Sequence, residues 1–563
     1  MKPIIYQLFP RTFTNYNETR KPNGTLEENG CGKFADITPK ALKAIQDLGA
    51  THIWYTGVIR HATAQYNTPE ITKGKAGSPY AITDYYDVDP DLAVEENKRM
   101  AEFEALIRRT HKQGLKVIID FVPNHVAREY KSTCKPKGFK DLGEDDHPEW
   151  AFSPLNNFYY IPGEKFQPSF DIGNYEEYPA KVTGNDCFTA HPNREDWYET
   201  IKLNYGVFYQ GGGEKQFSPI PSTWQKMLYI LSYWARKGVD AFRVDMAEMV
   251  PIEFWRWVIP YVHTFFPDAE FLGEVYNPLL YREFLNAGFK YLYDKVGMYD
   301  YLRGVTSKSW AAEGITHYWQ SVDDIKDHML YFLENHDEQR IASGFFCGSG
   351  RAAEPAMTIA ALLGRNPVMI YAGQELGEKG MDAEGFSGMD GRSSIFDYWG
   401  VKSLQAWTNH GKFDGKLLSD EQKKLRKFYQ SLLTIARDNK AVTDGQMYDL
   451  EYAQGEGFDK HKQFAFLRKA DEELLLIAVN FDDKQRDIRV TIPEDAFHYL
   501  QQPQLEKATA TELITDTVLT SLNEKGKKQK TIAFTANQPI VLNLPEWTGA
   551  VYRIVDANKK KKR

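Results

Sequence analysis

Up to residue 440, short and nearly all-apolar segments alternate with amphipathic helical ones, and this rhythm constrains the fold more than any other feature. Leu115-Lys-Val-Ile-Ile-Asp-Phe-Val122 is apolar on both faces of a strand, the pattern of a parallel sheet covered by helices on both sides. Before it, residues 97–113 place Met100, Phe103 and Ile107 on one helical face, with Gly114 as the stop signal. Strand segments are expected at 3–13, 51–55, 115–122, 238–245, 270–275, 291–293, 330–336 and 367–371, with 291–293 carrying the faintest signal. Helices are expected at 39–48 and 222–237 (Ser222 as N-cap), after Pro251, and at 425–438. Eight strand–helix units fit a (β/α)8 TIM barrel.

The rhythm breaks at 124–213, which is polar, aromatic and rich in Asn, Gly and Pro. A structureless loop of that size is implausible inside a compact domain, so an inserted subdomain after strand 3 is expected. Past residue 440 the period becomes two, in segments such as Gln463-Phe-Ala-Phe-Leu467 and Ala550-Val-Tyr-Arg-Ile554, which reads as a C-terminal antiparallel β-sandwich. The expected organisation is barrel 1–123, insertion 124–213, barrel 214–439 and sandwich 440–563.

Composition narrows the partners. A net charge of −8 and a pI near 6.0 leave no electrostatic footprint for nucleic acid, and the basic run at 559–563 reads as a solvated tail. No apolar run approaches membrane-spanning length and no secretory leader is visible, so the sequence as given reads as cytoplasmic. Cys31, Cys134, Cys187 and Cys347 are scattered, which argues against a zinc site or a disulfide framework and leaves at most one bridge. With 33 Tyr and 12 Trp in 563 residues, aromatic side chains are available to stack on flat ligand faces such as sugars.

In a barrel of this kind chemistry sits at the C-terminal strand ends. Those ends present Asp120 with Asn124 and His125, then Arg243 and Asp245, then Glu274, then His336 and Asp337. Arg243 and Asp245 are two residues apart and so point to the same side of a strand, where the guanidinium is expected to keep the carboxylate ionised. Glu274 has no cation beside it in sequence, so its carboxyl is expected to rise.

Asp120-Phe-Val-Pro-Asn-His125, Gly238 to Asp245, Gly273-Glu-Val275 and Glu334-Asn-His-Asp337 resemble, in order, the four short regions of the α-amylase superfamily of retaining glycosidases. Tyr80-Ala-Ile-Thr-Asp-Tyr85 resembles the loop that supplies a stacking Tyr. The resemblance implies Asp245 as nucleophile, Glu274 as general acid/base and Asp337 as transition-state stabiliser. It implies substrate contacts from Tyr80, Asp120, His125, Arg243 and His336. The implied substrate is an α-1,4-linked glucan or maltooligosaccharide, with no cofactor required.

Departures leave alternatives open. Met246-Ala-Glu-Met249 stands where many α-amylases carry a Lys-His pair, while Lys202-Leu-Asn204 is similar to neopullulanase- and cyclomaltodextrinase-like members. α-1,6 cleavage, cyclodextrin opening, glucan transfer and trehalose- or sucrose-type isomerisation all fit the same machinery. Calcium is left open through Asn124, which matches a calcium-binding position in relatives, and through the Asn15, Asn17 and Asn29 loop. A metal-dependent barrel enzyme and a non-catalytic binding barrel are the competing classes. Trp150, Tyr159, Tyr160 and Trp197 of the insertion are candidates for sugar stacking or for its small core.

Overall fold

The computed structural model describes residues 2–522 and 527–558. Eight parallel strands close a barrel: β1 (Ile4–Leu8), β2 (His52–Tyr55), β3 (Lys116–Phe121), β4 (Ala241–Val244), β5 (Glu270–Gly273), β6 (Tyr291–Tyr293), β7 (Met329–Phe332) and β8 (Val368–Tyr371). Each pairs with its sequence neighbour, and β8 closes on β1. The faint segment at 291–293 is thus a genuine strand, bonded to β5 and β7.

Period two sorts the side chains. Ile5, Trp54, Ile118, Ala241, Leu272, Tyr293, Leu330 and Met369 share one buried cluster in the barrel interior. Their neighbours Ile4, Tyr6, Ile53, Tyr55, Val117, Ile119, Phe242 and Phe271 join the larger core beneath the helices. Two residues further along, the inward positions turn polar: Gln7 follows Ile5, Asp120 follows Ile118, and Arg243 follows Ala241. The interior is therefore apolar at its base and charged at its C-terminal mouth.

Some expected bounds shorten. β1 stops at Leu8 because Pro10, which lacks an amide proton, opens a short helix, Pro10–Phe13. β7 stops at Phe332, so Glu334 to Asp337 lie in the loop beyond it. Pro221, not Ser222, holds the N-cap position of the helix Ser222–Arg236. The long connection after β2 contains an antiparallel pair, Ile59–His61 with Ile82–Val88.

The insertion leaves and returns side by side. His125–Ala127 pairs antiparallel with Thr200–Lys202, with His125 opposite Lys202. Between them lie short ladders, and Phe166, Ala180 and Ala190 form a small cluster with Ile71 of the connection after β2. The buried Arg128 guanidinium sits over the Phe166 ring and bonds Glu177 at 2.7 Å.

Beyond the helix Asp420–Asp438, an antiparallel sheet includes Gln446–Asp449, Gln463–Ala470, Glu473–Asn480, Thr548–Asp556 and Leu505–Glu512. Phe464, Phe466, Leu475 and Ile477 pack on the barrel's core, whereas Ala465, Leu467, Leu474 and Leu476 face a second cluster. The ladder Arg486–Val490 with Ile540–Leu544 covers that second face through Ile488, Val490, Leu542 and Leu544, completing a sandwich. The basic run at 559–563 lies outside the described residues. Among the described residues no helix is long and apolar enough to cross a membrane, and the four cysteines are free.

Candidate active site

Arg243 is the hub of the barrel mouth. It is fully buried, its Nη1 lies 2.7 Å from Asp245 Oδ1 and 3.6 Å from Asp120 Oδ1, and its Nη2 lies 2.9 Å from Glu274 Oε2. The guanidinium also sits over the rings of Trp54, Tyr80 and Tyr293. Parallel pairing places Val244 beside Gly273, so the residues ending β4 and β5, Asp245 and Glu274, emerge as neighbours. This corrects the expectation that Glu274 lacks an adjacent cation, for the cation comes from the neighbouring strand.

The expectation that Arg243 would lower Asp245 is corrected as well. Burial pushes the Asp245 carboxyl well above the usual range, and the nearby Glu274 and Asp337 add to this against the pull of Arg243. Asp337 is pushed up to about 7 by burial and by Glu274. Asp120 rises to about 6 on burial, opposed by Arg243 and by donors from Trp54 Nε1 (3.1 Å) and the Gly57 amide (3.2 Å). One guanidinium thus serves a cluster of carboxyls whose charges it does not balance.

Glu274 is the most fully hydrogen-bonded of the three. Tyr276 Oη donates to its Oε1 at 2.7 Å and the Met246 amide donates to its Oε2 at 2.8 Å. Met246 takes a left-handed conformation, φ 43° and ψ 46°, unusual for a side chain of this size. That turn aims its N–H at Glu274, the kind of local strain that clusters at functional sites.

The two imidazoles are neutral. His125 falls to about 3 through burial and through Lys202 and Lys73. His336 falls well below its ordinary value through burial and Arg243. His336 Nδ1 is bonded by Gln7 Nε2 at 2.8 Å, and its Nε2 faces both Asp337 Oδ2 at 3.1 Å and the Tyr80 hydroxyl. Tyr80 stacks on His336 with ring centres 5.3 Å apart, and its hydroxyl also donates to Asp120 Oδ1 at 3.3 Å.

Tyr80, His125, Asp245, Glu274 and Asp337 all line one pocket of about 240 Å³. Asp120, Arg243 and His336 lie behind its wall, where they hold the lining groups. Of the four aromatic candidates in the insertion only Trp197 reaches the pocket, packed edge-on against His125. Tyr159 and Tyr160 are buried, and Trp150 stacks on His147 at the surface. Tyr276, Lys73 and Glu199 are lining residues that sequence reasoning missed, and Met246 stood out there only as a departure from relatives; of the three, only Tyr276, a polar aromatic two places past a strand-end carboxylate, left a readable signal.

The calcium expectation at Asn124 does not fit. Lys202 Nζ donates to Asn124 Oδ1 at 2.8 Å and pairs with Asp186 Oδ1 at 2.5 Å, so an ammonium group stands where a hard cation would need that oxygen. In the second candidate loop, Asn15 and Asn29 turn their amide nitrogens to backbone carbonyls of Gly30, Lys21, Tyr398 and Trp399, which makes them a scaffold for the turn. Among the described residues the one grouping of ligand-type atoms is Asp84, Asp87 and Cys134. There Asp87 is paired with Arg60 and Arg99, and Asp84 accepts from Ser132 and the Thr133 amide.

A closed parallel barrel with strand-end carboxyls around one buried arginine is the frame of a glycoside hydrolase. The Alpha-amylase catalytic-domain profile matches residues 7–473, and the chain belongs to that family. It is 24% identical over 538 residues to "Alpha-amylase 3" of Dictyoglomus thermophilum, covering 90% of each chain. It is 28% identical over 242 residues to "Maltase 1" of Drosophila virilis, a match spanning 43% of this chain and 31% of the maltase. A solved "Cyclomaltodextrinase" superposes with a TM-score of 0.65 at 18% identity, over 98% of this chain and 78% of that one.

Proposed function

We propose that this chain cleaves α-1,4-glucosidic bonds of maltooligosaccharides or starch-type glucans by double displacement, with retention. The observation that carries the reading is the shared guanidinium, which holds Asp245 and Glu274 side by side on its two terminal nitrogens. Retaining glycosidases need such a close pair, ~5–5.5 Å between carboxyls, whereas inverting ones leave room for a water. With the proton on Glu274 its push on Asp245 is gone, so in the first step the Asp245 carboxylate attacks the anomeric carbon, the glycosidic C–O bond breaks, and Glu274 gives its proton to the departing oxygen. In the second, Glu274 takes a proton from water, which attacks the same carbon and frees the Asp245 carboxylate. Asp337 and the neutral His125 bond ring hydroxyls, a hold that strengthens as oxocarbenium character develops, while His336 positions Asp337 and Tyr80 from behind.

The test is a product profile together with trapping. Starch, pullulan, β-cyclodextrin, maltose and sucrose are offered separately, and early products are followed by NMR. A 2-deoxy-2-fluoro glucosyl fluoride should label the peptide containing Asp245. α-Anomeric products with label on Asp245 support the reading, while β-anomeric products or label on another residue defeat it.

A further inference from the structure

The pocket is walled unevenly. Met246 and Tyr276, which follow β4 and β5, line it beside Glu274 and both bond that carboxylate. The opposite side is built by three segments fastened together: Lys73 in the loop after β2, Glu199 at the end of the insertion, and Phe396 in the loop after β8. Lys73 Nζ lies 3.3 Å from Glu199 Oε1, and the Lys73 backbone N–H donates to Glu199 Oε2 at 3.2 Å. The Ala76 amide donates to the carbonyl of Phe396 at 3.0 Å, tying the loop after β2 to the loop after β8.

This wall is withdrawn from solvent. Glu199 is 6% exposed and the Lys73 side chain 16%. Breaking such a pair strands a buried charge, so it acts as a fastening and not as a loose surface contact. β8, β1, β2 and β3 are consecutive neighbours in the barrel, and β4 and β5 follow beyond them. The wall and the proton donor therefore face each other across the mouth. At about 240 Å³ the space between them is small against the ~300–1,000 Å³ usual for ligand pockets.

We propose that the Lys73–Glu199 pair closes the glycone end of the pocket, so that the site admits one terminal glucosyl unit and works inward from non-reducing chain ends. The inference rests on Glu274 as proton donor, because that assignment tells on which side the leaving chain departs. A glucosyl unit from mid-chain would need its preceding neighbour to pass where Lys73, Glu199 and Phe396 stand. A terminal unit brings only free hydroxyls there, and the ammonium and carboxylate can bond those. A cyclodextrin, having no end, is refused.

The test uses p-nitrophenyl maltoheptaoside, free or with an acetal across O4 and O6 of its non-reducing terminal glucose, with products separated by chromatography. The wild-type chain should cleave the capped substrate at least about 100-fold more slowly. Maltoheptaose should yield only glucose and maltohexaose in the first turnovers, and β-cyclodextrin should remain intact. In Lys73→Ala with Phe396→Ala the capped-to-free rate ratio should rise at least about 10-fold; a ratio is insensitive to how much of the variant is folded. Similar wild-type rates on both substrates, or mixed chain lengths from the first turnovers, overturn the closure and leave the glycosidase reading standing. An unchanged ratio in the variant overturns the assignment to this pair. Absence of cleavage of both substrates defeats the underlying reading, and the closure with it.

Discussion

Tyr276 Oη donates a 2.7 Å hydrogen bond to Oε1 of Glu274, the carboxylate two residues before it. The Met246 amide holds the other oxygen, so both oxygens of the proposed proton donor are fixed by groups that follow β4 and β5.

Tyr276→Phe should therefore change the protonic step more than binding. We expect kcat on maltotriose to fall about 10-fold, the scale of one hydrogen bond to a charged group. KM and turnover of an α-glucosyl fluoride, which needs no acid, should change little. Steady-state rates on both substrates decide this, and equal losses on maltotriose and the glucosyl fluoride would mean that the contact only braces the loop.

Asp245→Asn should lower turnover on every substrate by at least ~10³-fold, because no covalent intermediate can form. Glu274→Gln should discriminate. Losses of ~10²–10⁴-fold are expected on maltooligosaccharides and much smaller ones on the glucosyl fluoride. Equal losses on both would remove Glu274 from its role.

The crowded carboxyls carry a cost that pH reveals. Desolvation and the neighbouring Glu274 raise the Asp337 carboxyl to about 7 in the folded chain from about 3.8 unfolded, so between those values the folded state binds more protons. Stability from this group is full below pH 4 and declines as pH rises toward 7; the raised Asp245 acts in the same direction. The Asp337 side chain is 43% exposed, so water screens the effect to roughly 1 kcal/mol. Asp337→Asn cannot ionise, and its thermal midpoint should exceed that of the parent at pH 8 but not at pH 5. Scanning calorimetry at both pH values would show it, and an equal offset would contradict the assignment.

Lys202 should make the insertion independent of calcium. Chelation with EDTA is expected to leave activity and thermal midpoint unchanged. Lys202→Met, which leaves Asn124 Oδ1 and Asp186 without their donor, should cost about 1–3 kcal/mol in the transition that reports the insertion. A fall in midpoint on chelation of the parent chain would show that a cation binds elsewhere.

The barrel was readable in one dimension because its strands are covered on both faces, which leaves near-continuous apolar runs such as that ending at Asp120. Even the three-residue β6 could be placed, since the strand count required it. The strand-end residues were readable because Arg243 and Asp245 share a face by period alone. What could not be read depends on register between strands. The reach of Arg243 to Glu274 needs Val244 beside Gly273. Lys73 and Glu199 meet across 126 positions of chain. Lys202 stood out only as part of a short signature, and its grip on Asn124 follows from a ladder that aligns it with His125. Burial of several carboxyls around one cation likewise reversed the expected direction for Asp245, because neighbours in space outnumbered the neighbour in sequence.

The paired stalk of His125–Ala127 and Thr200–Lys202 also divides the molecule's inheritance. An exchange of residues 128–199 with a relative would carry off Trp197 and Glu199 and leave Asn124, His125 and Lys202 in place. Glu199's half of the proposed wall at the sugar's far end would travel with the cassette, while Lys73, Phe396 and the bond-breaking groups stayed behind in the barrel. Two lineages of this fold could thus trade appetites without trading chemistry, through a joint only two strands wide.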